Sequence, residues 1–166
     1  EERVRYDTLA GKAGTSFHDV FWYEEGQYLY DSVDGEIRNS AIRPNQIFAV
    51  SLPYPMLSKA QQRRVVDVVK EHLLTPRGLR SLSPKDKDYS GRYCGNQYER
   101  DRAYHQGTVW AWLIGPYISA FAKAYGGEKD TIKYIKRLLL TFHEHVFEAG
   151  LGTISEIFDG DSPHIP

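Results

Sequence analysis

The segment from Ser58 to Leu74 constrains the fold more than any other, because its residues specify a helix at its start, along one side and at its stop. Ser58 and Gln61 spell a capping box, in which a hydroxyl and an amide satisfy backbone donors that a first turn leaves open. Val65, Val66, Val69 and Leu73, with Val68 between them, recur at helical spacing, and Pro76 follows the stop. Weaker segments obey the same logic. Residues 4–19 bring Val4, Leu9, Ala10, Ala13 and Phe17 near one face, opposed by the helix-weakening Gly11 and Gly14. Pro44 suits the first turn of a helix over 44–52, which Pro53 and Pro55 end. Residues 105–125 read as an apolar helix closed by Gly126-Gly127. Residues 129–148 read as an amphipathic one through Ile132, Ile135, Leu138, Leu139, Phe142 and Val146, with Gly150 as its stop. Only 27–37, alternating apolar and polar residues and closing on Asp34-Gly35, predicts an extended hairpin or loop. The expected fold class is all-α, one unit over 1–166 without an internal boundary. It is either a free-standing bundle or part of a toroid of helical hairpins.

Charge and length exclude several functions. With 21 basic against 22 acidic side chains, the chain carries no field to attract nucleic acid or an anionic membrane. No apolar run reaches the roughly 18–20 residues that span a bilayer, and no signal peptide is present. Cys94 is the lone cysteine, so an intrachain disulfide or a cysteine-based metal cluster is impossible, which fits a reducing cytoplasm. Its polar, Gly-rich surroundings offer no partner for a catalytic thiol. Because the sole methionine is Met56 and the chain opens on Glu1-Glu2-Arg3, a fragment or a processed chain is expected.

The chemistry gathers where periodicity fails. Residues 77–104 show little period, and so long a loop in a compact domain is usually functional or disordered. Its Leu79, Leu82, Tyr89, Tyr93 and Tyr98 favour order. At its end and just beyond, Tyr104, His105, Gln106 and Trp110 combine phenol, imidazole, amide and indole. Flat aromatic faces cover the apolar C–H face of a pyranose while polar groups fix its hydroxyls, so these residues point to a sugar site. His105 reads equally as a helix cap. Trp110 and Trp112 fall on different sides of a helix, so only one is expected to face a pocket. In Ile154-Ser-Glu-Ile-Phe158, alternation puts Glu156 on the face of Ile154 and Phe158, a costly place for a carboxylate unless it is hydrogen-bonded or working. A surface glutamate is the plainer reading. Asp159-Gly160-Asp161 supplies turn formers or sugar-hydroxyl acceptors, and lacks the further oxygens of a calcium loop. Arg43, Asn45 and Gln46 at a helix start bind hydroxyls or cap the helix. His143 and His145 are two apart, which rules against a zinc pair, and are expected merely to suit the negative end of a helix.

Four blocks together resemble one family: Arg43-Pro-Asn-Gln46, Leu73-Leu-Thr-Pro-Arg-Gly-Leu-Arg-Ser-Leu-Ser-Pro84, Tyr104-His-Gln-Gly-Thr-Val-Trp110 and Gly152-Thr-Ile-Ser-Glu-Ile-Phe-Asp-Gly-Asp161. In order and approximate spacing they are similar to the C-terminal amylo-α-1,6-glucosidase domain of glycogen debranching enzymes. The resemblance implies part of an (α/α)6 toroid, a six-hairpin glycosidase of glycogen catabolism. Its activity is hydrolysis of the single α-1,6-linked glucose at a branch stub, with inversion and without metal or cofactor. It implies Glu156 as general base. The family's acid, an aspartate, has no counterpart in this chain, and Asp88, Glu99 and Asp101 have no support in that role. The substrate-binding residues expected are Arg43, Asn45, Gln46, Tyr104, His105, Gln106, Trp110, Asp159 and Asp161. The partners expected are glycogen or another α-1,6-branched glucan and the remainder of the catalytic domain, without which the fragment is inactive. Two alternatives are a non-catalytic carbohydrate-binding helical domain and a helical scaffold.

Overall fold

The computed structural model describes residues 2–54, 56–126 and 129–166. Pro55 and Gly127, expected among the helix stops, lie outside the described residues. Helix α1 is Glu2–Phe21, α2 Phe48–Ser51 and α3 Lys59–His72. Helix α4 is Gln97–Ala103, α5 Ile114–Tyr125 and α6 Lys129–Glu148. The architecture is all-α, a sector of an (α/α)6 barrel with small sheets. Among the described residues no helix is long and apolar enough to cross a membrane.

Helix α3 starts on the expected capping box: the Ser58 hydroxyl accepts from the Gln61 N–H at 3.3 Å, and the Gln61 amide oxygen accepts from the Ser58 N–H at 3.1 Å. Its Val65, Val66 and Val69, with Leu73 just beyond, are fully buried, each contributing about 1.5–3 kcal/mol of burial free energy. Opposite them α5 presents Tyr117, Ala120, Phe121 and Ala124, whose small alanines admit close packing. Pro44–Ile47 forms a 3-10 turn leading into α2, and together they add Ile47 and Val50 to the same core. Helix α6 lies on the far side through Tyr134, Ile135 and Leu138, with the Tyr134 and Tyr117 hydroxyls 3.0 Å apart.

Helix α1 forms despite Gly11 and Gly14, yet none of its residues is buried and only Phe17 and Phe21 reach the core. Val4, Tyr6 and Leu9 on α1, and Ile132, Leu139, Leu140 and Phe147 on α6, are exposed. Open apolar faces of this kind suit a sector of a larger barrel better than a closed bundle.

The sequence reading needs correction in four places. First, 105–110 is not helical: after a turn at Tyr104–Gly107 the chain enters a short strand, Val109–Trp110, and a 3-10 turn over Ala111–Leu113 leads into α5. Gly107 has φ 154°, and a Cβ there would stand 2.5 Å from the Ser90 carbonyl oxygen. Second, α4 sits inside the segment read as a loop. Asn96 and Glu99 cap it reciprocally, at 3.1 and 2.8 Å. Third, the extended segment is two hairpins: β1 (Trp22–Tyr23) pairs with β2 (Tyr28–Leu29), and β3 (Ser32–Asp34) with β4 (Ile37–Asn39). Fourth, a further antiparallel sheet escapes the sequence altogether. Its order is β5 (Leu74–Thr75), β6 (Gly78–Arg80), β7 (Val109–Trp110), β8 (Ile157–Phe158), with Leu79 opposite Trp110 and Trp110 opposite Ile157.

Candidate active site

This last sheet builds the site. Pairing of β7 with β8 continues one step further, where the Ala111 N–H donates to the Glu156 carbonyl at 3.3 Å. The Glu156 side chain then turns toward Tyr104, whose hydroxyl donates to its Oε2 at 2.9 Å. Tyr104 caps the C-terminus of α4, and its own carbonyl accepts from the Trp110 indole N–H at 3.1 Å. The Tyr104 ring meets His105 and Trp110 edge-on, at 4.8 and 4.7 Å between centroids. His105 stacks flat on Trp110 at 5.1 Å. Glutamate, phenol, imidazole and indole thus form one cluster.

Glu156 is exposed, which corrects the expectation that it shares a strand face with Phe158 and is desolvated there. Phe158 is buried, but Ile154 is 49% exposed. Residue-to-residue strand partners begin at Ile157 and backbone bonding reaches only Glu156, so alternation does not extend back to Ile154. The hydrogen bond to Glu156, and secondarily burial, raises the Tyr104 phenol above its ordinary value, so it remains a donor throughout the neutral range.

Beside the cluster lies a cleft of about 560 Å³ lined by Asp31, Arg43, Asn45, His105, Gln106, Trp110 and Trp112, among others. Arg43 organises it. One terminal nitrogen donates to the Ser81 carbonyl at 3.1 Å and the His105 carbonyl at 2.6 Å, the other to the Gln106 amide oxygen, and Nε lies 3.5 Å from Asp31. Asn45 donates to Asp31 at 2.8 Å, and no side chain caps the turn that Pro44 begins. Both indoles line the cleft, where a helical reading allowed one, because β7 and the following 3-10 turn replace the helix on which that reading rested. Trp112 also borders an adjoining apolar groove of about 590 Å³ that contains Glu156, Leu139, Phe142 and Ile154. The glutamate therefore stands next to the cleft, outside its lining.

Three expected site residues join neither the cleft nor the cluster beside it. Gln46 is buried under the turn, where its amide donates to the Arg43 carbonyl at 3.2 Å. Asp159 accepts from the Tyr93 N–H at 2.9 Å and from Arg92 at 3.1 Å. Asp161 accepts from the Tyr89 hydroxyl at 2.9 Å and lies 3.8 Å from Arg92 Nε. These two aspartates tie residues 89–93 to the loop after Glu156. Burial first, and then the bond to Asp161, push the Tyr89 phenol up to about 12. Glu99 is used in its cap, while Asp88 and Asp101 are exposed and line neither cavity. Asp31, which sequence reasoning missed, had no signal beyond an aspartate in a tyrosine-rich hairpin.

A close backbone approach holds the two loops together: a Cβ on Gly160 would collide with the Gly107 carbonyl and lie 2.6 Å from the Tyr89 hydroxyl oxygen. Gly160→Ala is therefore expected to cost about 1–3 kcal/mol, read as a lower midpoint in urea unfolding. An unchanged midpoint would mean that the loops separate freely.

The whole chain, residues 1–166, matches the amylo-alpha-1,6-glucosidase family. It is 30% identical over 86 residues to the glycogen debranching enzyme of Saccharomyces cerevisiae, an alignment covering 48% of this chain and 6% of that protein. Among solved structures it resembles the neutral trehalase Nth1 from Saccharomyces cerevisiae, with TM-score 0.67 and 14% identity over 93% of this chain and 26% of the trehalase. That likeness is one of fold, and the chain spans only a small part of either relative.

Proposed function

The chain belongs to the amylo-α-1,6-glucosidase family, and from that premise we propose that it forms part of a longer cytoplasmic enzyme that hydrolyses the α-1,6-linked glucose at glycogen branch points with inversion. The observation that carries this reading is the 2.9 Å bond from Tyr104 to Glu156 beside an aromatic cleft. Tyr104 holds one carboxylate oxygen and leaves the other to take a proton from water. Trp110 and Trp112 offer faces to the glucose ring, while Asn45, His105 and Gln106 supply hydrogen-bonding groups. An inverting enzyme also needs an acid roughly 6.5–9.5 Å from the base. Asp31, the carboxylate in the cleft, is engaged by Arg43 and Asn45, which suits an acceptor and not a proton donor. The acid is then supplied by the rest of the catalytic domain, and this chain alone is inactive.

The test follows glucose release from a singly α-1,6-glucosylated maltooligosaccharide by NMR, using the full-length enzyme. β-Glucose is expected first. α-Glucose first would exclude inversion, and glucan binding without any release would favour a non-catalytic carbohydrate-binding domain.

A further inference from the structure

We infer that His145 is a positioning residue for Glu156, holding the glutamate's chain through the backbone of Ser155. His145 lies on α6 and is 1% exposed. Its Nε2 is 3.2 Å from the Ser155 backbone nitrogen and 3.2 Å from the Ser155 hydroxyl oxygen. A backbone N–H can only donate, so Nε2 accepts and the neutral ring carries its proton on Nδ1. The same ring meets Phe158 edge-to-face, with centroids 4.7 Å apart. One buried imidazole therefore grips the chain on both sides of Glu156.

The segment before Glu156 has little else to hold it. Leu151 is 87% and Ile154 49% exposed, so apolar burial anchors neither. The bonds made over 150–153 are local ones, from Gly152 to the Val146 carbonyl and from Thr153 to the Gly150 carbonyl. Tyr104 fixes the glutamate's tip and Ala111 its carbonyl, while His145 fixes the peptide that precedes it. A shift of that peptide changes the direction of the carboxylate, and misplacement by about 1 Å is enough to slow catalysis severely.

The groups facing His145 keep it neutral. Burial first, then the Arg77 guanidinium from the β5–β6 turn, hold the imidazole below its ordinary value, against an opposite pull from Glu148 on α6. Arg77 is itself bound to the Thr141 carbonyl and, at 2.8 Å, to Glu148. Because the folded value is depressed, the anchor's contribution is complete above the ordinary value of about 6.5 and is lost as pH falls through the lowered folded value. Protonation then points an Nε2–H at the Ser155 N–H, donor against donor.

The kinetic arm rests on Glu156 being the base; the exchange arm does not. In the full-length enzyme, His145→Leu removes the acceptor, whereas His145→Gln places an amide oxygen near the position of Nε2. Relative to wild type, the Leu variant is expected to lower kcat roughly tenfold with KM nearly unchanged, and to speed hydrogen exchange of the Ser155 amide by a similar factor. The Gln variant is expected to recover most of both. Wild-type kcat and wild-type Ser155 exchange in the Leu variant would overturn the inference, as would a Gln variant as impaired as the Leu variant. Should the Leu variant not fold, the wild type decides: Ser155 protection, corrected for intrinsic rate, is expected to fall as pH drops below the ordinary histidine range, and pH-independent protection overturns the anchor. If wild type releases no glucose, the hydrolase reading fails while the exchange arm still stands.

Discussion

Glu156→Gln in the full-length enzyme is expected to lower kcat roughly 100-fold or more while leaving KM within about twofold. Glutamine keeps the size of the side chain and an oxygen for the Tyr104 hydroxyl, which donates at 2.9 Å in the parent chain. It loses only the capacity to take a proton from water. The site is exposed and its backbone is held independently by the Ala111 N–H, so the variant should unfold at the wild-type temperature. A split in kcat with unchanged KM distinguishes loss of a base from loss of binding. Unimpaired turnover would remove Glu156 from the mechanism. A variant that fails to fold would show instead that the carboxylate serves the structure.

Arg43→Met is expected to destabilise the protein by about 3 kcal/mol, since removing one partner of a largely buried ion pair strands the other. The methionine fills much of the space but supplies no donor. The Ser81 and His105 carbonyls and the Gln106 amide oxygen each lose a bond, and Asp31, with a side chain only 14% exposed, keeps only Asn45. Adding Asp31→Asn removes the stranded charge, so the double variant should be less destabilised than the sum of the two single variants by about 1 kcal/mol. Urea unfolding of the four members of this cycle measures the coupling. Strict additivity would mean that the 3.5 Å pair contributes nothing and that Arg43 acts through its carbonyl bonds alone.

What could be read in advance follows from the range of the signals. The α3 helix was legible because Ser58, Gln61 and its valines act within a few residues of one another. The α4 helix carried the same kind of start in Asn96 and Glu99, but the glycines and prolines around it masked seven helical residues. The β5–β8 sheet was beyond reach, since strands of two or three residues cannot display an alternation that needs four or more. That omission misplaced Trp110 and Trp112 and put Glu156 on a strand face with the buried Phe158, whereas it is exposed. Arg43, Asn45, His105, Gln106 and Trp110 were visible by chemical type, and they share one cleft. Gln46, Asp159 and Asp161 have the same chemistry but use it on internal partners, which composition cannot reveal. His145 was read by its spacing to His143, whereas its meaning lies in Ser155, ten residues away.

The short ribbon of β5 to β8 separates the fate of the core from that of the chemistry. The α3 and α5 helices can assemble around their valines and alanines without residues 157–158 ever docking. Tyr104 and Glu156, 52 residues apart, meet only where three distant pieces of chain are laced by a few backbone bonds. The apolar cluster that secures β7 to β8, Val109, Ala111, Phe142 and Phe158, is small and separate from the valine core, so its opening free energy lies below that of the helices. Warming should therefore silence the site while helical circular dichroism is still intact, with activity and fold lost as two separate events.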